Sequence, residues 1–334
     1  MINLAGKFIG DFMKMKTILI SLFVTLFLLA GCKTTGESDP QPISWQQQQD
    51  YSKKVRDPRI FGLGIYDTPT GPQIRGGGRV HPGQAEVLEM LTEEEETLRP
   101  VVNLHGNFGT KWPVLLDVTT ASSWFEFDTA KDVGARPVSE GAQVQLVRRP
   151  GEDISACFSL IPSVRLGQLF IENALVYVRL ANGPLGSVAR DIVEPEIKGV
   201  IGWDLLRRLE QIQFLYSIGQ IILVTSEAYE PNPNLLVAQL PLVERMGACV
   251  VQGTVDGQSG LILIDPAGDF EVAAGSGRAV SLVQLGSKLT FSNPQVSQSI
   301  GGVRIGARLL KNYQVTICPQ AGLVYFETQP VEEK

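Results

Sequence analysis

One pattern occurs twice in this chain, and its repetition limits what the chain can fold into. The first copy reads Gly109-Thr-Lys-Trp-Pro-Val-Leu-Leu-Asp117-Val-Thr-Thr-Ala, the second Gly257-Gln-Ser-Gly-Leu-Ile-Leu-Ile-Asp265-Pro-Ala-Gly-Asp. In each, a glycine stands eight residues before an aspartate and an apolar run leads into that aspartate. The repeat continues downstream. Val200-Ile-Gly202-Trp-Asp-Leu205-Leu206 answers Arg304-Ile-Gly306-Ala-Arg-Leu309-Leu310, and Gly219-Gln-Ile-Ile-Leu-Val answers Gly322-Leu-Val-Tyr-Phe. Two copies of one unit predict two related halves that each bring an aspartate to a shared centre. Asp117 and Asp265 are therefore the candidate catalytic pair.

From Val101 onward the chain reads as strands. Val101-Val-Asn-Leu, Pro113-Val-Leu-Leu, Ala142 to Val147, Ala174-Leu-Val-Tyr-Val and Gln220-Ile-Ile-Leu-Val are short, rich in β-branched residues and flanked by turn formers. Val164 to Asn173 alternates around Gly167 as a hairpin does. Trp203 to Leu209 is the best helical segment in this region. Tyr229-Glu-Pro-Asn-Pro-Asn separates the copies, which places the first at 101–228 and the second, shorter one at 240–328. Residues 83–100 read as a short acidic helix with Val87, Leu88, Leu91 and Leu98 on one side and Glu93 to Glu96 as a solvated face. Residues 32–82, rich in Gln, Pro, Gly and Ser, read as a partly disordered tether.

These features resemble the aspartic peptidases, pepsin-like and retropepsin-like. Leu115-Leu116-Asp117-Val-Thr-Thr-Ala-Ser-Ser-Trp124 looks like the first-lobe motif, and Val200-Ile201-Gly202 looks like the segment that braces it. Leu263-Ile264-Asp265-Pro-Ala and Arg304-Ile305-Gly306 look like the second-lobe equivalents. The resemblance covers about Val101 to Thr328. It implies a mainly β, bilobal fold of the double-psi β-barrel type, with two unequal lobes about a pseudo-two-fold axis in one chain, and a monomer. It also implies peptide hydrolysis by an Asp117/Asp265 dyad on a peptide or protein substrate, without metal or cofactor. Two carboxylates about 3 Å apart share one proton; the charged one activates water and the other protonates the oxyanion. A flap is expected from the first lobe, between Pro137 and Gly167.

The departures define the alternative. In the family, Thr or Ser follows each aspartate and locks the two loops together through its hydroxyl, and Gly comes next. Here Val118 and Pro266 have no side-chain donor, and Thr119 and Ala267 replace the glycines. Asp117 then reads equally as a strand-end turn cap, and Asp265 as the opener of an Asp-Pro turn. The second reading is a catalytically inert pseudopeptidase that binds a peptide or an envelope protein.

Other chemistry finds little support. Net charge is −6 with no basic stripe, which disfavours nucleic acid as a partner. His81 lies in the expected tether, and His105 stands on a strand beside Gly106. Ser122, Ser123 and Ser259 have no evident base. Cys157, Cys249 and Cys318 form neither a disulfide framework nor a zinc pattern, and Cys157 and Cys249 sit in apolar surroundings.

The N-terminal part carries its own signal. Lys14 and Lys16 precede an apolar stretch from Thr17 to Leu29, shorter than the roughly 20 residues that span a bilayer. Leu29-Ala30-Gly31-Cys32 looks like a bacterial lipobox, with Met13 or Met15 as the expected start. Residues 1–31 are then a signal peptide, and Cys32 is the lipidated anchor to the membrane. Lys33 after it points to the outer membrane, facing the periplasm. Replacing Cys32 by Ser is expected to abolish processing and to release the chain from the membrane fraction; unchanged fractionation would dismiss the lipobox.

Overall fold

The computed structural model describes residues 41–68, 71–91, 99–139, 143–149, 152–182, 197–245, 247–275, 278–299 and 302–329. All belong to the unit Pro40–Lys334. Cys32, the signal segment and the Glu93 to Glu96 run lie outside the described residues. No described helix is long and apolar enough to cross a membrane.

The chain is mainly β, with one closed six-stranded barrel. A helix α1 (Trp45–Ser52) comes first. The first half then supplies β1 (Ala85–Glu89), β2 (Val101–His105), β3 (Lys111–Leu116), β4 (Trp124–Phe125), helix α2 (Phe127–Asp132), β5 (Glu152–Leu166), β6 (Leu169–Arg179) and β7 (Gly199–Ile201). Helix α3 (Trp203–Leu206) leads to the hairpin β8 (Gln211–Leu215) and β9 (Gln220–Val224). The second half supplies β10 (Leu236–Arg245), β11 (Ala248–Val255), β12 (Gln258–Asp265), β13 (Val272–Ala274), β14 (Leu282–Leu285), β15 (Leu289–Ser292), β16 (Val296–Gln298) and β17 (Val303–Gly306). Helix α4 (Ala307–Leu310) leads to β18 (Tyr313–Cys318) and β19 (Leu323–Thr328).

Pairing closes β5, β2, β3, β7, β4 and β6 into the barrel, because β5 bonds both β2 and β6. Its interior is filled by side chains with no exposure, among them Leu104, Leu116, Phe125, Val164, Ile171 and Val178. The second half keeps the order β15-β14-β11-β12-β17-β13-β16 and stays open among the described strands. In both halves a brace strand is inserted between two strands that follow each other in sequence. β7 lies parallel to β3 and antiparallel to β4; β17 lies parallel to β12 and antiparallel to β13.

The halves meet in a six-stranded run, β1-β9-β8-β18-β19-β10. Its centre carries the duplication in its register. Ile212 faces Ile317, Gln213 faces Thr316 and Phe214 faces Val315. Exchanging the copies swaps the first and third pairs and returns Gln213–Thr316 to itself, so an approximate two-fold axis runs through that pair. Ile212, Phe214, Val315 and Ile317 are fully buried, which makes this seam apolar core on one face.

Two segments depart from the sequence reading. The acidic helix at 83–100 is absent where the structure describes it: β1 occupies Ala85–Glu89 and pairs with β9 from Glu89↔Gln220 to Ala85↔Val224. Leu88 and Met90 point inward while Val87 is about half exposed, a period of two and not 3.6. An edge position beside an apolar strand satisfies β1's backbone and overrides its helix-forming glutamates.

The tether at 32–82 is folded onto the body from residue 41. Ser44 caps α1 through a reciprocal capping box with Gln47. Tyr51 on α1 is buried, edge-on to Phe127, with its hydroxyl 2.9 Å from Ser159 Oγ. Ile43 and Leu63 are also buried, and Arg79–Val80 pairs with β6. A few isolated apolar anchors hold a polar segment that composition alone reads as unfolded.

The hairpin at Gly167 and the helix at Trp203 agree with the sequence reading. β5 and β6 form the hairpin around Gly167, whose φ is +60°. Pro137 to Gly167 contains the hairpin of Gln143–Arg149 with β5. Trp203 opens a helix that ends at Leu206. Cys157, Cys249 and Cys318 are free and buried. Burial pushes the Cys157 thiol up to about 11 and the other two further, so all three stay protonated and inert.

Both brace glycines are sterically required. A Cβ on Gly306 would lie 2.2 Å from Phe270 O, and one on Gly202 would lie 2.7 Å from Ser122 C and O. Gly260, with nothing within 4 Å of its Cβ position, is the internal control. Gly306→Ala is expected to destabilise by about 2–4 kcal/mol and Gly260→Ala by under about 0.5 kcal/mol in denaturant titration. Equal effects would show that the brace does not need its close approach.

Candidate functional site

The site is built from the ends of β3 and β12. Each strand runs parallel to its brace: Leu116 lies opposite Ile201, and Asp265 opposite Gly306. Asp117 N–H donates to Ile201 O at 3.0 Å. Both aspartates are fully buried. Beyond each, the chain turns in the same way. Thr120 N–H donates to Asp117 O at 3.3 Å, and Gly268 N–H to Asp265 O at 3.0 Å. The residue after each brace glycine then closes the loop: Trp203 N–H donates to Thr120 O and Ala307 N–H to Gly268 O, both at 2.7 Å. The duplicated sequence has thus produced duplicated main-chain geometry.

The side chains are not duplicated. Asp117 Oδ1 accepts from Thr119 N–H at 2.8 Å and from Thr119 Oγ1 at 2.7 Å, and Oδ2 accepts from Thr120 Oγ1 at 2.5 Å. The Cβ of Thr119 therefore does not keep a backbone donor from the carboxylate, and Thr119 needs no positive φ. Asp265 faces a cation: Arg304 Nη1 lies 3.4 Å from Asp265 Oδ2. Arg304 is on the brace β17, opposite Leu263, and shares a sheet face with Asp265's side of the strand. In the first copy that brace position is Val200, which packs with Leu115, Ile197 and Ala267.

Main-chain acceptors tie the two aspartate loops across the halves. Val118 O accepts from Cys249 N–H of β11 at 2.8 Å, and Pro266 O accepts from the Tyr216 hydroxyl at 3.1 Å. Each aspartate loop is therefore tied to the opposite half through the residue that lacks a side-chain donor. Ala267 packs into the first half's Leu115–Val200 cluster.

A further set lies under the first loop. Ser123 Oγ donates to Asp204 Oδ1 at 2.7 Å and accepts from Gly202 N–H at 2.9 Å; Ser123 N–H donates to Asp204 Oδ2 at 3.0 Å. Burial raises the Asp204 carboxyl against these hydrogen bonds and Arg207. In the second half the corresponding support is the exposed pair Arg308–Asp269, at 2.9 Å. Sequence reasoning missed Tyr216 and the roles of Ser123, Asp204 and Arg304. Only Arg304 left a signal, as a charge in a brace whose first copy is apolar.

The remaining candidates are settled individually. Trp124 stacks on Tyr177 at 4.9 Å, and Trp112 donates its indole N–H to Asp132 at 2.7 Å. His105 is shifted downward by burial and by Arg165 and Lys111, and His81 lies 2.8 Å from Glu172 at the surface. Among the described residues no three His, Cys, Asp or Glu side chains cluster to hold a metal ion. No family model matches the chain, and no curated protein matches it.

Burial, and secondarily Asp265, pushes the Tyr216 hydroxyl well above 10. The folded chain holds that proton more tightly than the unfolded one. Its contribution is therefore complete below pH 10 and declines as pH rises above it. Tyr216→Phe leaves a buried carbonyl unsatisfied and is expected to cost about 1–3 kcal/mol at neutral pH. It should also flatten the alkaline loss of stability. A variant as stable as the parent, with the same alkaline profile, would remove Tyr216 from the loop contact.

Proposed function

We propose that this chain is a lipid-anchored, aspartic-peptidase-like protein of the bacterial envelope that binds peptide segments without hydrolysing them. The scaffold reading is supported by the doubled aspartate loops, the inserted brace strands and the axis through Gln213–Thr316. These features support the two-lobed arrangement that the sequence resemblance implies, in which Asp117 and Asp265 would form the dyad.

The loss of catalysis is carried by one observation, the guanidinium of Arg304 beside Asp265. The dyad reaction needs one carboxyl that is protonated and gives its proton to the oxyanion. A fixed guanidinium charge beside only one carboxyl breaks the near-equivalence through which such a pair shares its proton. The two loops are also held by main-chain contacts that do not depend on any chemistry at the carboxylates. In this reading the hairpin from Gln143 to Leu166 is the element that covers the bound segment.

The competing reading is a working peptidase, and a specific observation favours it. Asp117 keeps three donors that hold its carboxylate in one orientation. The two readings separate in one experiment. The full-length chain in detergent is incubated with a mixed peptide library from acidic to neutral pH, beside Asp117→Asn and Asp265→Asn. The expected result is no cleavage above that of either variant, with peptides retained on the immobilised parent. Cleavage by the parent that each variant abolishes separately would establish the peptidase instead.

A further inference from the structure

The segment Lys53-Lys54-Val55-Arg56-Asp57-Pro58-Arg59 places four cations within seven residues, on a chain whose net charge is −6. The aspartate loops make no use of it. The fold adds further cations to this segment. Gln47, Asp50 and Tyr51 share one face of α1, at i, i+3 and i+4, and Lys54 follows at i+7. Tyr51 lies against Phe127 of α2, and the last turn of α2 brings Lys131. Arg56 N–H donates to Pro137 O at 2.8 Å, which ties the chain after α1 to Arg136-Pro137. Those two residues pair in turn with β5.

Between these elements lies an open cavity of about 170 Å³. Its wall carries Lys54, Lys131 and Arg136, the Gln47 amide and one carboxylate, Asp50, over two aromatic rings. The arginines here are placed by neutral groups. Arg136 Nη1 donates to Ala135 O at 2.8 Å and Arg56 Nη1 to Gly134 O at 3.4 Å. The Arg56 guanidinium also lies 5.4 Å from the Phe61 ring centre. Main-chain carbonyls and a ring fix the geometry of these groups and leave their charge in place. Burial, and then the neighbouring Arg136, hold Arg56 below the ordinary arginine value, as like charges do when crowded together. Among the described residues none of the three lining cations stands in an ion pair. Three cations from three elements thus face one space with a single carboxylate, an arrangement that repels itself until an anion enters.

We propose that this cavity binds a phosphate group, free or as a monoester, with Lys54, Lys131 and Arg136 as its charge partners and the Gln47 amide as a neutral donor. Such a phosphate offers three acceptor oxygens and close to two negative charges, which suits donors arriving from three directions. A carboxylate offers two oxygens and one charge. The cavity is smaller than the roughly 300 Å³ at which sites for drug-sized ligands begin. It therefore takes the phosphate and leaves the rest of its carrier, a soluble compound or a lipid, outside. The site shares no residue with the aspartate loops and stands whether or not they catalyse or the chain is anchored.

The test uses the full-length chain in non-ionic detergent micelles and reads reductive methylation of individual lysines by mass spectrometry. An anion seated on Lys54 and Lys131 shields their amines. Inorganic phosphate, acetate, and micelles doped with phosphatidic acid or phosphatidylcholine are titrated at constant ionic strength. Phosphate or phosphatidic acid is expected to slow methylation of Lys54 and Lys131 threefold or more, saturably. Lys288, which is outside this cavity, is expected to react unchanged. Arg136→Gln, which removes neither reporter lysine, is expected to raise the concentration needed for protection tenfold or more. Near-ultraviolet circular dichroism verifies that this variant is folded. If it is not, Lys131→Gln is read through Lys54 alone, whose protection should weaken at least threefold. Protection by phosphatidic acid at a lower concentration than inorganic phosphate identifies a lipid headgroup as the carrier; the same or a higher concentration identifies a soluble phosphate. No protection by either phosphate probe, equal protection by acetate or phosphatidylcholine, or protection unchanged in the variant overturns the proposal.

Discussion

The structure hangs on the parallel pairing of each aspartate-bearing strand with a brace that ends in glycine. A strand can pair in parallel only with one reached by a long crossover. β7 and β17 therefore return from far along the chain to lie beside β3 and β12. The glycine at the end of each brace lets two loops cross at less than a side chain's width. The next N–H then fixes the carbonyl three residues beyond the aspartate. Position, burial and loop shape of both carboxylates follow from this one device, and they do so without any contribution from the residues that distinguish an active site from an inactive one.

That separation means that the loops hold their shape without a hydroxyl in the residue after either aspartate. A hydroxyl lock is one way to join two loops; a carbonyl that accepts from a buried partner is another. Val118 and Pro266 take the second route, with Cys249 N–H and the Tyr216 hydroxyl as donors. Pro266 has no N–H to offer, and the donor it meets is a side chain that burial keeps protonated. The loops are thus held by groups insensitive to neutral or acidic pH. The charge at the centre is the part that differs between the halves, through Arg304 on one side and Val200 on the other.

Much of this was legible in the sequence because the repeat fixed spacing. Glycine, apolar run, aspartate and brace appear in order in both copies, and the strands around them alternate or run apolar as buried strands do. The failures have physical causes. At Ala85–Glu89 the glutamates favour helix locally, but a partner strand with unsatisfied backbone lay far away at Gln220–Val224. The segment from Ile43 to Val80 is held by scattered anchors, chiefly Ile43, Tyr51 and Leu63, that meet the body one at a time and leave no periodic trace. Tyr216 and Ser123 have roles defined by what they touch across the fold. Sequence spacing carries no record of such contacts. Arg304 was visible as a charge, yet only the pairing register turned it towards Asp265.

The axis through Gln213 and Thr316 has a consequence for how such a chain can change. In an assembly of two identical chains a residue on the axis meets its own copy, and every substitution is made on both sides at once. Here the axis joins unlike residues. A change at one aspartate leaves the other untouched, so a cation can enter one half while the other retains a hydroxyl-bonded carboxylate. The same independence let one half close into a barrel while the other stays open among the described strands. Carried in one polypeptide, two copies of one unit have halves that can acquire separate duties.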